Sequence, residues 1–168
     1  MSMDSLAIQA ELPRLRRYAR ALVGNREAAD DLVQDTLERA WTRASQWQSG
    51  TNLRSWLFAI MHNLRIDQMR RPTLPETSLD LDTIDFPARA TQTDQIEISE
   101  LDTALTALPE EQRAVLLLIA LEDMSYTEVA TTLAIPMGTV MSRLARGRER
   151  LKQTLEKRST PTPLRVVR

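Results

Sequence analysis

With 168 residues, the chain can form one domain of ordinary size or two small ones, and its 42% hydrophobic and 27% charged content argues against wholesale disorder. It has no cysteine, and His62 is its only histidine, which excludes disulfide scaffolds, thiolate nucleophiles and cysteine-based metal sites and argues against His-rich metal centres and Ser-His-Asp catalysis. The net charge of −1 hides a division: residues 1–71 carry +3, residues 72–108 carry −7 and residues 109–168 carry +3.

Two basic ends around an acidic middle suit a nucleic-acid binder whose connector has a separate job, the alternative being chance unevenness. No metal, cofactor or enzymatic activity is expected, because nothing supplies a nucleophile–base pair or a ligand cluster. No apolar run reaches the roughly 18–20 residues of a membrane span. The start, MSMDSLAIQAELP, lacks the basic opening and apolar core of a signal peptide. A cytoplasmic protein without membrane partners is the expectation.

Helical periodicity runs through the chain. A first helix spans roughly Ser5 to Val23 and ends at Gly24. Asn25 caps a second, Glu27 to Gln46, in which Ala29, Leu32, Val33, Thr36, Leu37, Ala40, Trp41 and Ala44 form the buried stripe. After the turn Gln48-Ser49-Gly50-Thr51-Asn52, a third helix runs to about Arg70, with Leu53, Trp56, Leu57, Ile60 and Leu64 as its stripe. Pro72 stops it.

Residues 72–95, with Pro72, Pro75 and Pro87 and no periodicity, read as a flexible acidic linker. At about 3.3–3.6 Å per residue they reach roughly 80 Å when extended. That exceeds two turns of duplex DNA at about 34–36 Å each.

Periodicity resumes with Ile98, Leu101, Leu105 and Leu108 on one helical face. After Pro109, EEQRAVLLLIALE is apolar nearly all round and so central to a bundle. Ser125 and Glu128 form a capping box, with Met124 and Val129 as its hydrophobic staple. That helix ends near Leu133, and the turn Ala134-Ile135-Pro136 leads to a last, basic helix from Met137 to about Glu156. A short helix, a tight turn and a basic helix make a helix-turn-helix. The tail, 159–168, is expected to be disordered. The fold class is therefore all-α: a domain over 1–71, the linker, and a helix-turn-helix domain over 96–158.

Rotating the last helix by about 100° per residue gathers Val140, Leu144, Gly147 and Leu151 on the packing side. Close packing then accounts for Gly147. Opposite lie Ser142, Ala145, Arg146 and Glu149, flanked by Arg143 and Arg150 on one edge and Arg148 and Lys152 on the other. Cations at both edges and small or hydrogen-bonding groups between them suit a major groove, although an ordinary solvated basic helix would share the pattern. The second helix turns Asp31, Gln34, Asp35 and Glu38 outward, either to solvent or to a basic protein surface. Around the third helix Arg54, Phe58, His62, Asn63, Arg65, Arg70 and Arg71 combine cations with an aromatic, as stacking on unpaired bases requires. Phe58 and Met61 could equally widen the core.

Three stretches, ADDLVQDTLERAW (29–41), GTNLRSWLFAIMHNLRIDQMRR (50–71) and LPEEQRAVLLLIALEDMSYTEVATTLAIPMGTVMSRLARGRERL (108–151), resemble the extracytoplasmic-function (ECF) sigma factors of the sigma-70 superfamily. The resemblance implies a non-catalytic specificity subunit of RNA polymerase, acting in a stress response under an anti-sigma factor. It gives Asp31, Gln34, Asp35 and Glu38 the beta-prime clamp helices of core polymerase, with the beta subunit as a further contact. It gives Gly50, Thr51, Asn52, Trp56, Phe58, Asn63, Arg65 and Arg70 the melted minus-ten strand of promoter DNA. It gives Met141, Ser142, Arg143, Ala145, Arg146, Arg148 and Arg150 the minus-thirty-five element. Met141 stands where many relatives carry a basic residue, and Ala59 where some carry arginine. GTNLRSWLF and GTVMSRLARGR are similar to branches associated with general or envelope stress. The alternative is a sigma-like decoy that sequesters an anti-sigma factor without binding DNA; such decoys usually come with a receiver domain, and no αβ-alternating segment occurs in these residues.

Overall fold

The computed structural model describes residues 4–48, 50–71 and 92–159, with only the backbone described at 92–98 and 159. All regular structure among them is helical: α1 (Ser5–Val23), α2 (Arg26–Thr42), α3 (Leu53–Arg70), α4 (Gln92–Thr106), α5 (Glu110–Ala120), α6 (Tyr126–Leu133) and α7 (Met137–Ser159), with one 3-10 turn over Ala44–Gln46. Among these residues no helix is long and apolar enough to cross a membrane.

The helix ends follow their capping chemistry. Asp4, Asn25 and Asn52 each accept a backbone N–H from the first turn of α1, α2 and α3. Gly24 closes α1 at φ +77°, in the left-handed region. Both halves of the Ser125–Glu128 capping box are formed, and Met124 and Val129 are buried beneath it. Ala134, between α6 and α7, also adopts a left-handed φ of 53°. Three boundaries differ from expectation. Helix α2 ends at Thr42, short of the expected Gln46, and residues 44–46 form the 3-10 turn instead. Helix α4 begins at Gln92, inside the stretch read as linker, and α7 continues to Ser159. The rest of the linker and tail readings, 72–91 and 160–168, lie outside the described residues.

One unit, α1–α3, is centred on Leu15, Tyr18, Leu32, Leu57, Phe58 and Met61, all at most 2% exposed. Tyr18 and Phe58 meet edge to face, ring centroids 5.0 Å apart. Burial, aided by the charges of Glu110 and Glu122, pushes the Tyr18 phenol above its ordinary pKa. The other unit, α4–α7, surrounds α5, in which seven consecutive residues, Gln112 to Leu118, are buried. On α4 the expected stripe is only partly realised. Leu108, just beyond the helix, is buried and Leu105 half-buried, but Leu101 is exposed, because α4 packs through the turn containing Ala104 and Leu105; the Ile98 side chain lies outside the described residues. Gly147 is buried against α5, but a β-carbon there would stand 3.4 Å from that of Gln112, an ordinary contact, so close packing does not demand glycine.

The two units are packed together, and their buried apolar residues form one continuous cluster. Helix α1 lies against α4 and α5, and α3 lies against α6. Buried polar groups stitch this junction. The Arg113 guanidinium donates to the carbonyls of Leu105 at 2.8 Å, Thr106 at 2.8 Å and Leu108 at 2.7 Å, and across the junction to that of Leu22. It thereby serves the carbonyl-rich ends of α1 and α4, where a cation is favoured. Glu122, just beyond α5, is fully buried beside Arg14 and Arg17 of α1.

Candidate nucleic-acid interface

The acidic face of α2 forms as the sequence implies: Asp31, Gln34, Asp35 and Glu38 are all exposed, opposite the buried Ala29, Leu32, Val33, Thr36 and Ala40. Trp41 departs from expectation. Assigned to the buried stripe, it is 48% exposed and extends the acidic face with an aromatic surface. Seven residues turn a helix through almost two full circles, leaving Trp41 about 20° from Gln34. The helical angle was therefore the signal that spacing by threes and fours missed.

The loop before α3 and the first turns of that helix make the second surface. Gly50 takes a φ of +96°, the left-handed region that glycine adopts without strain, with open space around it. Thr51 donates its hydroxyl to the Gln48 carbonyl at 2.6 Å, and Asn52 caps α3 by accepting the Ser55 N–H at 3.3 Å. Gly50, Thr51, Asn52, Asn63 and Arg70 are exposed, while Trp56 is half-buried. Trp47, singled out by no sequence pattern, joins Trp56 in an open cleft of about 480 Å³ whose far wall is Thr127, Glu128 and Thr131 of α6.

Three residues expected on this surface are committed elsewhere in the structure. Phe58 is 2% exposed and meets Tyr18 edge to face, so in this structure its place is the core rather than a base-stacking face. Arg65 donates to Glu110 at 2.6 Å and is three-quarters covered, spending its charge on the junction. Arg54 likewise pairs with Glu11 at 2.9 Å. His62 is half-buried, and its pKa is lowered by burial first and by Arg143 second, against the opposing pull of Glu110.

The third surface is α7. Val140, Leu144 and Gly147 are buried and Leu151 half-buried, while Met141, Ala145, Arg146, Arg148, Glu149, Arg150 and Lys152 are exposed. Ser142 is intermediate and donates to the Thr139 carbonyl at 3.2 Å. Arg143 is largely covered and faces Glu111 at 3.5 Å. The outer face is thus an open strip of mainly small and cationic side chains, with Met141 and Glu149 among them, a shape and charge suited to a major groove. Among the described residues no group of three or more histidines and carboxylates could hold a metal ion.

Two family models match the chain: the Sigma2 domain of PhyR over residues 8–62, and region 4 of sigma-70 over residues 98–151. The ECF RNA polymerase sigma factor EcfG of Rhodopseudomonas palustris is 38% identical over 155 residues, covering 90% of this chain and 86% of its own. The ECF RNA polymerase sigma factor SigE of Mycolicibacterium smegmatis is 37% identical, covering 96% of this chain but 64% of its own. Among solved structures, the sigma factor RpoE in complex with the anti-sigma factor NepR from Bartonella quintana matches with a TM-score of 0.75 at 29% identity, over 90% of this chain and 95% of that one.

Proposed function

Because the chain belongs to the ECF RNA polymerase sigma factors, it is a specificity subunit that directs promoter-dependent initiation, and we propose that its three surfaces divide that work. The acidic face of Asp31, Gln34, Asp35 and Glu38 docks on the beta-prime clamp helices of core polymerase, and the beta subunit makes further contacts. Gly50, Thr51, Asn52 and Trp56, with Asn63 and Arg70 farther along α3, take the melted non-template strand of the minus-ten element. Met141, Ser142, Ala145 and Arg146 read the minus-thirty-five element, with Arg143, Arg148 and Arg150 at the phosphates.

The observation that carries this reading is the outer face of α7. Arg146 and Ala145 stand free in solvent, with the half-buried Ser142 beside them, while the opposite side of the same helix anchors the unit. An arginine presented in this way can bond a guanine edge in two places. The chain performs no chemistry of its own. It traps bases that leave the stack, and polymerase does the rest. A balance of +3 at each basic end gives weak, salt-sensitive affinity for DNA alone. Polymerase supplies the rest by holding both reading surfaces at once, which raises their effective concentration.

As the complex of RpoE with NepR suggests by analogy, an anti-sigma factor restrains this chain in the cytoplasm until a stress releases it. The test is transcription with purified core polymerase on a matched promoter, scored against Arg146→Ala. A promoter-specific product that disappears in the variant is expected. A decoy would give no product with either protein, and absence of product on every promoter tried overturns the reading.

A further inference from the structure

The loop assigned to the minus-ten strand and the first helix of the helix-turn-helix are opposite walls of one cleft. Trp47, Asn52 and Trp56 line one side, and Thr127, Glu128 and Thr131 of α6 line the other. A strand entering the loop would have to pass where α6 stands. The junction is also locked by charge. The Glu122 side chain is 0% exposed, with Oε1 3.2 Å from Arg17 Nη2 and Oε2 3.5 Å from Arg14 Nη1. Arg17 also donates to the Leu121 carbonyl at 3.1 Å. At the other end of α5, Arg113 holds the Leu22 carbonyl and Glu110 holds Arg65. A buried carboxylate is tolerated only beside its partners, and both partners of Glu122 come from α1, across the junction.

That arrangement cannot serve two promoter elements. Helix α7, with its 23 residues, is about 35 Å long at 1.5 Å per residue. Elements two turns of duplex apart lie roughly 70 Å from one another, and units that touch through α3 and α6 cannot bridge that span. The acidic face of α2, by contrast, stays exposed in the packed arrangement.

We infer that the chain closes on itself as an off state that needs no second protein: α6 covers the minus-ten loop, Glu122 is latched between Arg14 and Arg17, and Arg113 is latched on Leu22. Core polymerase then engages the open acidic face first, and the units separate afterwards. The inference rests on the assignment of the Gly50–Trp56 segment to the minus-ten strand.

The lack of native cysteine makes a direct test simple. Gln46 and Thr131 are exposed and line the cleft from opposite sides. In the double variant Gln46→Cys, Thr131→Cys, a short bis-maleimide is expected to join the two units. The linked protein should bind core polymerase like the unlinked one yet give at least tenfold less promoter-specific transcript. Glu122→Gln, which keeps the shape and removes the charge, should raise binding of the free chain to a minus-ten non-template oligonucleotide at least threefold, with unchanged helicity by circular dichroism. Equal transcription by linked and unlinked protein overturns the closure, as does failure of the reagent to join the thiols in the free chain. If parent and unlinked variant both give no transcript, the initiation reading fails and takes the closure with it.

Discussion

Helices α3 and α7 both carry an apolar stripe and cations, the one with an aromatic that suits unpaired bases and the other with small residues that suit a major groove, yet they sit differently in the molecule. Helix α7 packs on one side: Val140, Leu144 and Gly147 face inward, while Ala145, Arg146 and Glu149 face solvent. Helix α3 packs against α2 and α6 and touches α1. Its buried arc therefore widens from Leu57 and Ile60 to Phe58 and Met61, and Arg65 is drawn into an ion pair with Glu110. Although α4, α5 and α6 all contact α7, they leave uncovered the face its sequence implies. On α3 the contacts cover a wider arc and take part of the corresponding face.

The comparison can be broken most sharply at Phe58. Phe58→Ala should cost about 3–5 kcal/mol of folding stability, measured by denaturant titration, because it empties a packed site against Tyr18. Phe58→Leu, which keeps most of the volume, should support promoter opening; an opening defect in a fully stable Phe58→Leu protein would return this residue to the DNA. On α7 the effects should be reversed. Arg146→Ala should leave stability within about 0.5 kcal/mol, as for exposed positions generally. It should weaken promoter binding by about 1–3 kcal/mol and relax preference at a single base position, as a promoter library would reveal.

A smaller effect is expected at the turn that aims α7. Ala134 occupies the left-handed region, where a β-carbon is strained, so Ala134→Gly should stabilise the protein by about 1 kcal/mol, seen as a higher Tm. The mildest probe joins the two helices. His62 on α3 is held below its ordinary pKa of 6.5 by burial and by Arg143 on α7. Its folded form takes up a proton less readily than its unfolded form. Its contribution to stability is therefore full above pH 6.5 and declines as pH falls below that value. His62→Gln should flatten that part of the pH–stability curve, and an unchanged curve would show that the imidazole does not feel the junction.

Most of the helical frame was legible because its ends are written in local chemistry. Asn25, Asn52, Gly24 and the Ser125–Glu128 pair fix boundaries through bonds to residues no more than four positions away. The acidic face of α2 and the outer face of α7 were legible because exposure on one side is a property of a single helix. What escaped needed knowledge of a neighbour. Nothing within EEQRAVLLLIALED shows that Arg113 reaches the carbonyl of Leu22 or that Glu122 lies between two arginines 105 and 108 positions earlier in the chain. Phe58 and Met61 depended in the same way on Tyr18 and the second unit. Trp41 is a different case, since its angle on the helix was available and the stripe was drawn too wide.

The junction around Arg113 carries a practical consequence. Leu22 and Arg113 belong to different halves of the polypeptide, and a single proteolytic cut between Arg71 and Gln92 would sever no bond between them. The nicked protein should elute from a sizing column as one species, its halves parting only under denaturant. The resting molecule would then be held by the packing of its two halves, whether or not the backbone between them is whole.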